Sequence, residues 1–233
     1  MEEIIEKEIE QLKDREDVKA VAIVGSYARR PEQEHNDIDI LIIVDGGWRK
    51  RKTTEKDNLV IEKFFNSRKW IEKYIEEMDG YDSNWNTYHW LKNRDTRYDP
   101  ENILKELEQE AENKKEVVLN REIDTDEIRY RLWDHLQDLE TENVAQKRHL
   151  MNQLFNYVIN QKYRLERQVP VKENYKLRKL KEFDGYMYKM SQDYLLESST
   201  MKKEKTLRKM VDHLTREIGN SSSEWSTNKE ELE

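Results

Sequence analysis

The sequence predicts an α+β protein: an N-terminal domain with a small mixed β-sheet and flanking helices over 1–122, then a C-terminal α-helical bundle over 123–220 and a polar tail over 221–233. Three observations predict it. Short β-branched runs lie in the first third of the chain, as in Val18–Val24, Asp37–Val44 and Leu59–Phe65. After Asp124 the pattern becomes continuously helical. The whole chain holds only 3 Pro and 6 Gly, which favours long helices over tight turns.

In chain order, residues 2–14 carry Ile4, Ile5, Ile9 and Leu12 at helical spacing with acids early. Val18–Val24 reads as a buried strand ending at Gly25, and Arg29, Arg30 and Pro31 close a short helix before a polar loop, Glu32–Asn36. Asp37–Val44 is a second strand, terminated by Gly46-Gly47, and the basic run Trp48–Lys52 reads as an exposed, hairpin-like loop, with the holding of nucleic acid or triphosphate by this basic, aromatic-bearing cluster as the alternative. Leu59–Phe65 is a third strand, and Ser67 is placed to cap a helix through Trp70, Ile71, Tyr74, Ile75 and Met78. Tyr88–Tyr98 passes from helix to strand and leads into Asp99-Pro100.

In the second half, one helix starts at Thr125 and carries Ile128, Leu132, Leu136 and Leu139. A longer one, about Glu142 to Glu166, has Leu150, Leu154, Tyr157 and Val158 on one stripe, and Pro170 is expected to break it. Helices follow at about Lys172–Glu182, Gly185–Glu197 and Lys202–Ile218, and the residues from Ser221 onward read as frayed. No internal repeat is present.

Composition narrows the function. Charged residues make up 39% of the 233 and the hydrophobic set 35%, yet 12 Tyr and 6 Trp argue against disorder. The net charge of −8 disfavours a nucleic-acid partner unless a local basic patch holds it, and suits a small cationic or neutral one. With no cysteine, disulfides, thiolate metal sites and thiol nucleophiles are excluded. No apolar run approaches membrane-spanning length, and the expected location is the cytoplasm. Monomer and homodimer both remain open.

The chemistry concentrates in Gly25-Ser26-Tyr27-Ala28-Arg29 and in Asn36-Asp37-Ile38-Asp39. In a strand Asp37 and Asp39 project to one face, where two carboxylates 4 Å apart would repel by about 4 kcal/mol at an effective dielectric near 20. A divalent metal is the natural neutraliser. The strand-to-helix turn at Gly25-Ser26 offers free backbone N–H groups to phosphate oxygens, with the Ser26 hydroxyl as an added donor.

This Gly-Ser, short helix, Asp-x-Asp order resembles the signature of the polymerase-β-type nucleotidyltransferase superfamily, nearest to its aminoglycoside- or lincosamide-modifying and minimal members. The resemblance implies Mg²⁺, as two ions, with a nucleoside triphosphate such as ATP as co-substrate. It implies metal binding by Asp37 and Asp39, and nucleotide binding by Gly25, Ser26 and Arg29. A third carboxylate is expected on a neighbouring strand. Glu62, an acid inside the apolar run Leu59–Phe64, is the choice, as metal ligand, general base or both, with Glu55 and Asp57 as rivals. Tyr98-Asp99-Pro100 resembles a strand ending of these transferases, and the passage from Asn160 to Lys172 a region in which the lysine could touch phosphate.

Asn152, Asn156 and Asn160 recur every four residues on one helix face, so Asn156 and Asn160 are candidate acceptor contacts beside the bland reading of a polar seam. The five histidines show no shared ligand spacing, so no zinc site is expected. The leading function is transfer of a nucleoside monophosphate to a hydroxyl of a small molecule, as in antibiotic-resistance enzymes. The alternatives are a protein or tRNA acceptor, as in toxin-antitoxin members, and a non-catalytic nucleotide- or partner-binding module.

Overall fold

The computed structural model describes residues 2–33 and 35–226, so the polar tail expected over 221–233 lies outside the described residues from 227 on. The chain divides into two compact units, Met1–Val118 and Leu119–Glu233.

In the first unit, β1 (Val18–Val24), β2 (Asp37–Val44), β3 (Arg49–Lys56), β4 (Leu59–Ser67) and β5 (Asp95–Tyr98) form a five-stranded sheet in the order β3-β4-β2-β1-β5. β2 and β4 run parallel, and the other three pairings are antiparallel. The parallel pairing follows from the route of the chain. From β2 it crosses to the outer edge, forms β3, and returns as β4 between β3 and β2.

One sheet face packs on α1 (Glu2–Lys13). Ile5, Ile9 and Leu12 of this helix meet Val21, Ile23, Ile38, Ile40, Ile42 and Ile61 in a continuous buried cluster. Because side chains alternate along a strand, burying Ile38, Ile40 and Ile61 on this face sends Asp37, Asp39 and Glu62 to the other. There Phe64 of β4 packs on Trp90 of α4 (Asn86–Lys92), ring centroids 4.8 Å apart.

The basic run Trp48–Lys52 is not an exposed loop. From Arg49 on it is the first half of β3, an edge strand paired with β4 from Arg49↔Asn66 to Lys56↔Leu59. The two-residue turn between them is Asp57-Asn58, both with positive φ (51° and 62°), a twist that suits a tight hairpin and that Asp and Asn tolerate. Periodicity could not reveal this strand, because it is polar on both faces. Its lysines and arginines also discourage edge-to-edge pairing with other chains.

Ser67 does precede α3 (Arg68–Glu76), but its hydroxyl does not cap the helix and is buried with no hydrogen-bond partner among the described residues. Asp99 does cap: its carboxylate accepts from the Ile103 and Leu104 N–H groups (2.8 and 3.1 Å) at the start of α5 (Ile103–Leu119).

The second unit contains α6 (Thr125–Asp138), α7 (Val144–Leu165), α8 (Glu173–Phe183), α9 (Gly185–Leu196) and α10 (Thr200–Ile218). Asp124, Asn143, Asp184 and Ser199 each accept an N–H from the first turn of the helix that follows. Leu132, Leu154, Val158, Tyr194 and Leu214 form its buried centre, with Phe155 stacked on Tyr194 at 4.5 Å. Pro170 is not what ends α7. The helix stops earlier, at Leu165, where Arg167 takes a left-handed conformation (φ 51°) and Gln168 N–H donates to Tyr163 O (2.9 Å). That hydrogen-bond pattern closes a helix whatever comes next. Among the described residues no helix is long and apolar enough to cross a membrane.

Candidate active site

The site is built around β2. Asp39 lies across from Glu62 of β4 in the parallel register, and Asp37 lies two pairs along, across from Val60. Register partners project to the same face, so the three acids share one side of two adjacent strands, about 4.8 Å apart. On the other flank Asp39 faces Val24, the last residue of β1. The rivals fall elsewhere. Glu55 sits on the edge strand across from Val60, and Asp57 is in the hairpin turn, so neither is on a strand next to β2.

Immediately after Val24 the chain turns into α2 (Gly25–Arg29). Gly25 is required twice over at this point. Its φ is +76°, and a Cβ placed there would stand 2.1 Å from Oδ2 of Asp39. The turn therefore brings backbone, with no side chain between, against the Asp39 carboxylate. Ser26 Oγ lies 3.3 Å from His35 Nδ1, and His35 Nε2 lies 2.7 Å from the Arg30 carbonyl. A carbonyl can only accept, so Nε2 carries a proton and donates to it; in the neutral imidazole Nδ1 then accepts from the Ser26 hydroxyl. Tyr27 is buried. Its hydroxyl donates to Glu2 (2.6 Å), and that bond, with burial, pushes the phenol up to about 12. Arg29 is exposed at the end of α2.

Glu62 already has a cation. Arg51 Nη2 donates to both of its carboxylate oxygens, at 2.6 and 2.7 Å. The Arg51 side chain is 61% exposed and that of Glu62 only 21%, so the arginine is the partner free to leave. Arg51 also packs over the Phe64 ring, its guanidinium carbon 5.1 Å from the centroid. Sequence reasoning missed Arg51 as a site residue. Until the hairpin is known, nothing separates it from its basic neighbours.

The remaining candidates belong to the helical unit. Asn152 accepts from Tyr194 OH (2.8 Å) and Asn160 from Lys176 Nζ (3.0 Å), which ties this amide row to α9 and α8. Asn156 is exposed, and so is Lys172 at the start of α8. A second acidic group is formed by Asp184, His213 and Glu217, whose ligand atoms lie within 4.8 Å of one another. It already holds a cation: Lys162 Nζ lies 2.7 Å from Glu166, 2.5 Å from Glu217 and 3.3 Å from Asp184. Burial disfavours the charged Lys162, but hydrogen bonds to Glu166 and Glu217 outweigh it and raise its pKa. A metal would have to displace this ammonium.

A family model described as a nucleotidyltransferase domain matches residues 5–150. Two proteins of Methanocaldococcus jannaschii, MJ0126 and MJ1217, provisionally named protein adenylyltransferases, are each 52% identical to this chain over 40 residues, 17% of the chain and 41% of either relative. A third, MJ1379, is 46% identical over 43 residues, 18% of this chain and 43% of its own length. The chain thus matches less than half the length of these relatives. A nucleotidyltransferase-like protein from Exiguobacterium sibiricum 255-15 shares the fold, with a TM-score of 0.54 and 12% identity, over 93% of this chain and 75% of that one.

Proposed function

Because this chain belongs to the nucleotidyltransferase domain family, we propose that it moves a nucleoside monophosphate from a nucleoside triphosphate to a hydroxyl and releases pyrophosphate. The observation that carries this reading is the Asp39–Glu62 register beside the Gly25-Ser26 turn, three acids and a phosphate-sized backbone bend on one side of a sheet.

The donor set suits a hard divalent cation such as Mg²⁺: three carboxylates, all oxygen, with one removable organic cation on Glu62. Asp37, Asp39 and Glu62 would hold it, as one ion or two. When bound, it neutralises the triphosphate and polarises the α-phosphoryl group. The chain's own residues do the rest. The first N–H groups of α2 meet phosphate oxygens at close range because Gly25 has no side chain. The Ser26 hydroxyl, now donating to His35, turns to a phosphate oxygen. Arg29 adds positive charge from the end of the same turn. Glu62, released from Arg51, takes the proton of the acceptor hydroxyl as its oxygen bonds to the α-phosphorus. The bond from that phosphorus to the bridging oxygen breaks, and pyrophosphate leaves with the electron pair.

Two acceptors are supported by specific observations. The relatives' names support a protein hydroxyl and adenylyl transfer. The net charge of −8 supports a small cationic acceptor of the aminoglycoside kind. In either reading Asn156 and Asn160 are proposed as acceptor contacts from their repeat every four residues, and Lys172 is assigned to phosphate by resemblance alone. Incubation with α-labelled ATP and Mg²⁺ tests both. Label in acid-precipitable protein supports the first acceptor, and label on a soluble aminoglycoside or lincosamide the second. Absence of pyrophosphate with every acceptor, or equal turnover by Asp39→Asn, refutes nucleotidyl transfer at this site.

A further inference from the structure

The sheet face opposite the three acids carries a second feature. Between α1 and the β3–β4 hairpin lies a cavity of about 280 Å³ whose wall includes Arg15, Trp48, Lys50, Lys52, Lys63 and Phe65, together with the carboxylate-bearing Glu8 of α1. Lys50 pairs across the hairpin with Phe65, and Lys52 with Lys63, so these four side chains project together. Two lysines directly opposite each other on one face repel. The nearest acid, Glu8, is fully buried and already bonded to both Lys56 and Lys63. Asp17 is taken by Arg15 at 2.8 Å. Among the described residues Lys50 and Lys52 have no ion-pair partner, in a chain whose net charge is −8. Beside them Trp48 is 37% exposed and stacks on Phe65 at 6.0 Å, which leaves part of its ring open to a second aromatic.

We propose that this cavity binds a phosphate-bearing nucleotide, with Lys50 and Lys52 on the phosphate and Trp48 against the base. It is separate from the acid face because the sheet lies between them. The same chemistry could come from a free nucleotide or from one unit of a single-stranded RNA. Two unpaired cations about 7 Å apart along a strand match successive phosphates, and base-on-aromatic stacking tolerates any sequence. An acidic peptide would satisfy the lysines but gain nothing from the tryptophan.

The test uses the full chain in EDTA, which disables cation-dependent binding at the acid face, and a fluorescein-labelled twelve-nucleotide single-stranded RNA read by anisotropy. Lys50→Glu/Lys52→Glu is expected to weaken binding at least tenfold and to lower the salt slope by about 1.4, that is 0.7 for each lost phosphate contact. Trp48→Ala is expected to weaken it about fivefold or more. Lys205→Glu/Lys209→Glu, which makes the same change in net charge at two exposed positions of α10, should leave it within twofold. Asp39→Asn should bind RNA like the parent, so failure of the catalytic reading and failure of this one are separable. Competition by ATP as well as by unlabelled RNA assigns the cavity to single nucleotides, and competition by RNA alone assigns it to a strand. Unchanged binding in the Lys50/Lys52 variant, equal loss in both double variants, or equal displacement by polyglutamate overturns the proposal.

Discussion

Asp39 of β2 stands directly across the parallel register from Glu62 of β4. That one pairing brings together acids 23 positions apart in the sequence, and the proposed chemistry depends on it. Asp39→Asn and Glu62→Gln keep the shape of each side chain and remove its charge. Each is expected to lower pyrophosphate release by about 100-fold or more, at or beyond the upper end for loss of a supporting group around a metal. Far-UV circular dichroism should stay unchanged. Full activity of either variant would exclude that residue from the site.

Gly25→Ala should fail for two reasons that act together: φ is +76°, and the new Cβ would meet Oδ2 of Asp39 at 2.1 Å. The expected cost is about 1–3 kcal/mol in urea denaturation, together with loss of activity. Gly47→Ala is the control, since no atom lies within 4 Å of its added methyl and its φ is not positive. A Gly25→Ala protein with parental stability would show that the turn can relax away from Asp39.

Arg51 competes with any cation for Glu62. An exposed pair of this kind contributes about 0.2–1 kcal/mol, so Arg51→Ala should tighten Mn²⁺ or Mg²⁺ binding by no more than about fivefold in calorimetry. Weaker metal binding in that variant would show that Arg51 supports the site rather than guarding it.

Glu8 is buried between Lys56 and Lys63. Burial alone would raise its pKa, but its hydrogen bonds to the two lysines win, and the carboxyl is held below the usual 4.5. A depressed acid contributes stability that is fully present above its unfolded value and lost as pH falls through the folded one. The urea midpoint should therefore hold steady near neutrality and begin to drop below about pH 4.5, with part of that drop absent in Glu8→Gln. Glu8→Ala, which strands the buried Lys63 without a counter-ion, should cost about 3–5 kcal/mol.

The helical unit gives an independent check on buried charge. Lys162→Met leaves the buried Asp184 without its ammonium and should destabilise the chain by about 3–5 kcal/mol, read as a lower urea midpoint. The same variant should bind Zn²⁺ more tightly than the parent, because the cation occupying the Asp184, His213 and Glu217 group is gone. Parental stability would mean that His213 and the α9 N-terminus satisfy Asp184 unaided.

Much of the architecture was legible because it is local. The apolar run Val18–Val24, the alternation of Asp37 and Asp39 with Ile38 and Ile40, and the helical stripe around Leu154 and Val158 each declare their structure within a few residues. What declares nothing locally was misread. β3 is polar on both faces, so only its partner β4 and the Asp57-Asn58 turn reveal it as a strand. The end of α7 depends on Arg167 adopting a conformation that its residue type does not advertise.

Neighbouring residues alone therefore settled that a glycine turn precedes a strand bearing Asp37 and Asp39, since turn, period and apolar run are short-range properties. The folded chain decided which acid joins them, that Arg51 rests on Glu62, and that Lys50 and Lys52 face the other way. These outcomes turn on strand order and register, which are set by burying Ile38, Ile40 and Ile61 against α1, and no stretch of sequence carries that packing by itself.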